Sequence, residues 1–124
     1  MSWGPLGHRV TAEVSKKFLS DNAKKKINEL VPYETMGKMS IYPDFIKSDP
    51  SMRKKYNHFH YVSFKKGENY NKQVEKKLKD ENILSAIYKF TEILKNPKQK
   101  KDKKVFALKM LIHLIGDIHQ PLHV

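Results

Sequence analysis

The chain has 124 residues and carries 25 Lys and Arg against 13 Asp and Glu, a net charge of +12. That length suits one domain spanning 1–124 with a modest core, and no segment reads as a signal peptide or a membrane-spanning helix. The absence of cysteine excludes a disulfide framework and a thiolate metal site, and the lysine surplus suits either solvated faces or a polyanionic partner.

The chain opens on Trp3-Gly-Pro-Leu-Gly-His8-Arg9, turn-forming residues that lead into a helix. Val10, Val14, Phe18 and Leu19 follow at helical spacing. Ser20-Asp21-Asn22 breaks that helix and caps a second one, with Ile27, Leu30 and Val31 inward and Pro32 ending it. Residues 32–40 read as a loop, and 41–46 as a short helix with Pro43 in its first turn. Ser48-Asp-Pro-Ser51 reads as a turn.

The aromatic-rich segment Tyr56-Asn-His58-Phe-His60-Tyr-Val-Ser-Phe64 alternates and reads as extended or a short strand. Gly67 to Asn71 reads as loop, and Val74 with Leu78 suggests a short polar helix. Asp80 is the expected cap of a helix carrying Ile83, Leu84, Ile87, Phe90, Ile93 and Leu94, which ends before Pro97. Residues 98–104 form a charged surface connector. With no internal repeat and helices dominating, the class is all-α.

From Val105 to Ile118 the chain is almost wholly apolar, a helix buried on most sides. His113 and Asp117 interrupt it four residues apart, so they share one face, with Phe106 and Met110 further down it. A carboxylate inside an apolar helix is costly unless it is paired or bound to a metal. Two readings compete: a satisfied core histidine beside a capping aspartate, or a ligand cluster that His123 extends beyond Gln120-Pro121. The side chains able to bind a hard or borderline cation are His8, Asp44, His58, His60, His113, Asp117, His119 and His123. Imidazole and carboxylate without Cys suit catalytic rather than structural zinc.

The opening Trp-Gly-x-x-Gly-His-Arg, the isolated Asp44, His60-Tyr-Val and the closing His113-x-x-x-Asp117-x-x-Gln-Pro-Leu-His123 resemble the zinc-dependent single-strand nucleases of the S1/P1 family. The resemblance runs the length of the chain, and its closing motif is highly specific. Bacterial zinc phospholipase C is a more distant likeness; the five-residue step from Trp3 to His8 looks like the nuclease branch.

The resemblance implies a multi-helix fold like that of zinc-dependent phospholipase C and nuclease, incomplete at the C-terminus, and up to three zinc ions. One would lie among Asp44, His60, His113 and Asp117. A second would use the Trp3 backbone, His8 and the bridging Asp117, and a third His123 with ligands further along the family's sequence. Asp44 would also orient the attacking water. Tyr61 stands where the family places a base-stacking aromatic, with plain core packing the alternative. His58 stays an alternative to His60, His119 reads as structural, and Arg9 as a surface residue or a phosphate contact.

The implied activity is hydrolysis of single-stranded DNA and RNA to 5′-phosphate products, with 3′-nucleotidase activity. It uses zinc-acidified water of pKa about 7. The implied location is secreted or periplasmic. Two departures qualify this. Met1-Ser2 precede the Trp3 whose free amine the family uses, and the family's matching length is roughly twice this one. The expectation is one strong zinc site in this chain and weak or absent nuclease activity. The competing functions are phospholipase C-like hydrolysis and a non-catalytic metal- and polyanion-binding fragment.

Overall fold

In a computed structural model of the chain, residues 4–46, 49–56, 67 and 69–119 are described. Eight helices occur among them: α1 Pro5–Lys16, α2 Asp21–Leu30, α3 Met36–Ser40, α4 Tyr42–Ile46, α5 Pro50–Tyr56, α6 Tyr70–Lys77, α7 Ile83–Lys95 and α8 Lys101–Ile118. No strand occurs among the described residues, so the all-α class holds. No described helix is long and apolar enough to cross a membrane.

α8 is the central element, touching α1, α2, α3, α4 and α7. One face packs on α7: Ala107, Met110 and Leu114 meet Ile83, Ala86 and Phe90, all essentially buried. These positions recur at three- and four-residue steps, which places them on one stripe of each helix. Burial of a side chain the size of Phe90 stabilises by about 1.5–3 kcal/mol. Phe106 joins the packing by its ring edges, with centroids 5.9 Å from Phe90 and 6.2 Å from Tyr42. A second face of α8 sets Leu108 against Ala12 of α1, Val31, and Met36 and Met39 of α3. His113 and Asp117 occupy the remaining sector, toward α1 and the α3–α4 junction.

Several sequence expectations hold. Ser20 Oγ accepts from the Ala23 N–H at 3.1 Å and starts α2, which stops before Pro32. α4 carries Pro43 in its first turn, and α7 ends before Pro97.

Others need correction. The segment read as a loop over 32–40 contains α3, because Thr35 Oγ1 accepts from the Lys38 N–H at 3.1 Å while Met36 and Met39 bury themselves. Pro50, inside the turn expected at 48–51, begins α5. Asp49 Oδ1 accepts there from the Ser51 N–H and hydroxyl, which hold its carboxyl below the ordinary value, the hydroxyl contributing most. Tyr70 begins α6, inside the expected loop.

The cap of α7 is Asn82, not Asp80. Asn82 Oδ1 accepts from the Leu84 and Ser85 N–H groups, and Ser85 Oγ accepts from the Asn82 N–H, closing a capping box. The charged connector over 98–104 is helical from Lys101, where Asp102 complements the helix dipole. α1 ends at Lys16, and Val10, Val14 and Phe18 face outward; its buried positions are His8 and Ala12. The expected strand beyond Tyr56 lies outside the described residues.

Candidate metal centre

Three elements bring the site together. α8 presents His113 and Asp117 one turn apart, α1 presents His8 in its second turn, and α4 presents Asp44. His8 is 2% exposed, and His113 and Asp117 are each 1% exposed. Asp44 is half-buried and forms the open side.

Asp117 sits between the two imidazoles. Its Oδ2 lies 3.0 Å from His113 Nε2, and its Oδ1 lies 3.2 Å from His8 Nε2. Asp44 Oδ1 approaches the same His113 nitrogen at 3.7 Å. The two rings stack, with centroids 3.9 Å apart and planes 17° from parallel. Ligand atoms of His8, Asp44 and His113 all fall within 4.8 Å of one another.

The protons on His113 follow from its neighbours. Its Nδ1 lies 2.7 Å from the Ser40 carbonyl oxygen. A carbonyl only accepts, so Nδ1 carries the hydrogen, an assignment made from the hydrogen-bond network. In the neutral ring Nε2 is then a bare lone pair, aimed at carboxylate oxygens of Asp117 and Asp44. Acceptor facing acceptor in a buried site is unfavourable unless a cation, a proton or a metal ion, stands between them. An imidazole whose second nitrogen is fixed by a backbone carbonyl is the usual arrangement of a metal-ligating histidine. Two imidazoles and two carboxylates, without sulfur, suit zinc. These residues therefore fit the ion.

Glycine explains how α1 comes so close to α8. A Cβ on Gly116 would stand 3.1 Å from His8 Nδ1 and 3.4 Å from its Cε1. His8 has little room to retreat, being buried and stacked on His113. Its Nδ1 has no hydrogen-bond partner among the described residues. A similar approach joins α1 to α3, where Glu13 Oε1 accepts from the Gly37 N–H at 2.9 Å.

Of the residues singled out from the sequence, His8, Asp44, His113 and Asp117 come together. Trp3, His58, His60, Tyr61 and His123 lie outside the described residues. His119 is exposed at the C-cap of α8, its Nδ1 2.6 Å from the Ile115 carbonyl. Arg9 is exposed.

Two features escaped the sequence reading. The Ser40 carbonyl is a backbone group on an element read as loop. Lys109 is a further polar residue inside the run taken as interrupted only by His113 and Asp117. Its Nζ lies 2.7 Å from Glu34 Oε2 and 4.6 Å from the centre of the Tyr42 ring. Its position four residues before His113 was the available signal.

A family model described as S1/P1 Nuclease matches residues 3–124. Endonuclease 2 of Arabidopsis thaliana is 30% identical over 141 residues, covering 98% of this chain and 45% of that protein. Endonuclease 1 of the same plant is 28% identical, covering 99% of this chain and 44% of its own length. Nuclease S1 of Aspergillus oryzae is 26% identical over 127 residues, covering 98% and 44%. The chain thus spans less than half the length of the curated relatives it matches.

Proposed function

Because the chain belongs to the S1/P1 nuclease family, we propose that it forms the metal-binding face of a zinc-dependent phosphodiesterase. The substrates are single-stranded DNA and RNA, cleaved to 5′-phosphate products, with 3′-nucleotidase activity as well. The observation that carries this reading is the pair of imidazole nitrogens converging on the buried Asp117 carboxylate, with Asp44 at the open side. The names of the relatives, endonuclease and Nuclease S1, support the reaction class. The +12 net charge suits a polyanionic substrate. A secreted or periplasmic location rests on the family resemblance alone.

Zinc, when bound, supplies positive charge for phosphoryl oxygens and makes water acidic enough to ionise near neutrality. The chain's own residues do the rest. Asp117 offers one oxygen to each imidazole and so bridges the α1 and α8 sides of the site. The Ser40 carbonyl keeps the His113 hydrogen on Nδ1, so that in the neutral ring the lone pair lies on Nε2, toward Asp117 and Asp44. Asp44 is the carboxylate placed to orient an incoming water, since it is the member of the cluster that reaches solvent. The apolar packing of α7 on α8 excludes water from behind the site and keeps the ligands rigid.

Incubating the chain with single-stranded DNA and zinc, with and without a chelator, tests this. Weak zinc-dependent, chelator-sensitive cleavage that Asp44→Asn abolishes is the expected result. Cleavage that survives chelation contradicts the proposal. A choline phospholipid hydrolysed in preference to DNA would move the chain to the phospholipase reading.

A further inference from the structure

We infer that Lys109 is a positioning residue for the metal centre: it clamps the α3–α4 segment onto α8 so that Ser40 and Asp44 meet His113 at the right distances. This rests on the metal-site reading above and extends it to a residue whose ion-pair and ring partners, Glu34 and Tyr42, are not themselves ligands.

Lys109 lies on α8 four residues before His113, one turn away on the same face. Its side chain is 14% exposed, and that of its ion-pair partner Glu34 is 23% exposed. Glu34 immediately precedes Thr35, the N-cap of α3. The same ammonium stands 4.6 Å from the Tyr42 ring centre, within cation–π range. Tyr42 opens α4, two residues after Ser40 and two before Asp44. The Tyr42 ring also meets the edge of Phe106, three residues before Lys109 on α8.

One ammonium therefore pins both ends of the 34–42 segment, the residue before α3 and the first residue of α4. Between and just beyond these anchors lie the two groups that address His113. The Ser40 carbonyl holds Nδ1 at 2.7 Å, and the Asp44 carboxylate faces Nε2 at 3.7 Å. α3 and α4 are only five residues each, too short to hold their own geometry without tertiary anchors. A lysine in an otherwise apolar stretch of a buried helix requires partners, and both of its partners lie on this segment.

The test compares metal binding, not turnover. Zinc affinity of the full chain is measured by chelator competition, and cobalt absorption spectra report the ligand set. Lys109→Met is expected to weaken zinc binding by about 10–100-fold, the usual effect of losing a supporting group. Its cobalt spectrum should shift toward that of Asp44→Asn. Lys109→Arg, which can stack on Tyr42 and pair with Glu34, should restore affinity to within about tenfold of wild type. If Lys109→Met does not fold, Tyr42→Leu carries the same test, with Tyr42→Phe as the ring-retaining control. Wild-type affinity and an unchanged cobalt spectrum in folded Lys109→Met or Tyr42→Leu overturn the inference. Wild type that binds no metal overturns the underlying metal-site reading instead.

Discussion

The two sides of Asp117 are built differently. On one side, His113 is fixed by three elements: its own helix α8, the Ser40 carbonyl at the end of α3, and Asp44 on α4. On the other, His8 is equally buried and its Nε2 meets Asp117 Oδ1 at 3.2 Å, but its Nδ1 has no hydrogen-bond partner among the described residues, and the ring is otherwise held by packing, stacked on His113 and close against Gly116. A hydrogen bond to a carbonyl selects one tautomer of an imidazole, whereas packing selects only its position. The His113 side is thus set chemically and the His8 side sterically. Each side should fail to a different kind of substitution.

Asp117 serves both sides, so Asp117→Asn has the largest expected effect. It keeps the shape and removes the charge that two imidazoles face. Zinc affinity should fall by more than about 100-fold, beyond the range typical of a supporting group. His113→Ala breaks the chemically set side and should lower affinity by about 100-fold, while α8, anchored by Met110 and Leu114, remains folded. Both are read by chelator competition, with circular dichroism confirming helix content.

Gly116→Ala attacks the sterically set side without touching a ligand. The added methyl group must push His8 by a few tenths of an ångström, and that ring is buried and stacked on His113. Overpacking of this kind costs about 1–3 kcal/mol, to be read in denaturant unfolding, with a loss of about tenfold in zinc affinity expected alongside. Ile115→Ser, one residue away but 43% exposed, is the smallest of the series: stability should change by no more than about 0.5 kcal/mol and affinity not at all. If Ile115→Ser matched Gly116→Ala in its loss of affinity, the steric account of the His8 side would fail.

The sequence made α8 legible because a helix buried on most sides advertises its polar exceptions. His113 and Asp117, four apart in an apolar run, already shared a face, and the structure places both carboxylate oxygens against imidazoles. The support around them was harder to see. Ser40 acts through its backbone, which carries no side-chain signature, and from an element with too little periodicity to read as a helix. A glycine inside a helix carries no sign of why it is there; the reason for Gly116 is a ring from another helix. The outward Val10, Val14 and Phe18 show the reverse case, since helical spacing locates a stripe without saying what covers it. At α7, Asp80 and Asn82 were both acceptable caps by type, and only the reciprocal bond with Ser85 decides for Asn82.

The central claim is that Asp117 is tolerated in the interior because it shares a divalent cation with its neighbours. The most direct measurement is a zinc titration of the metal-stripped chain beside Asp117→Asn, both under chelator competition, with unfolding temperature followed in parallel. Ions bound only by the folded state raise its stability, by about 2.7 kcal/mol at a free concentration one hundred times the Kd. The account predicts one tight zinc per wild-type chain, a raised unfolding temperature, and loss of both in Asp117→Asn. A wild-type chain that takes up no zinc, or a variant that binds it equally well, would contradict it.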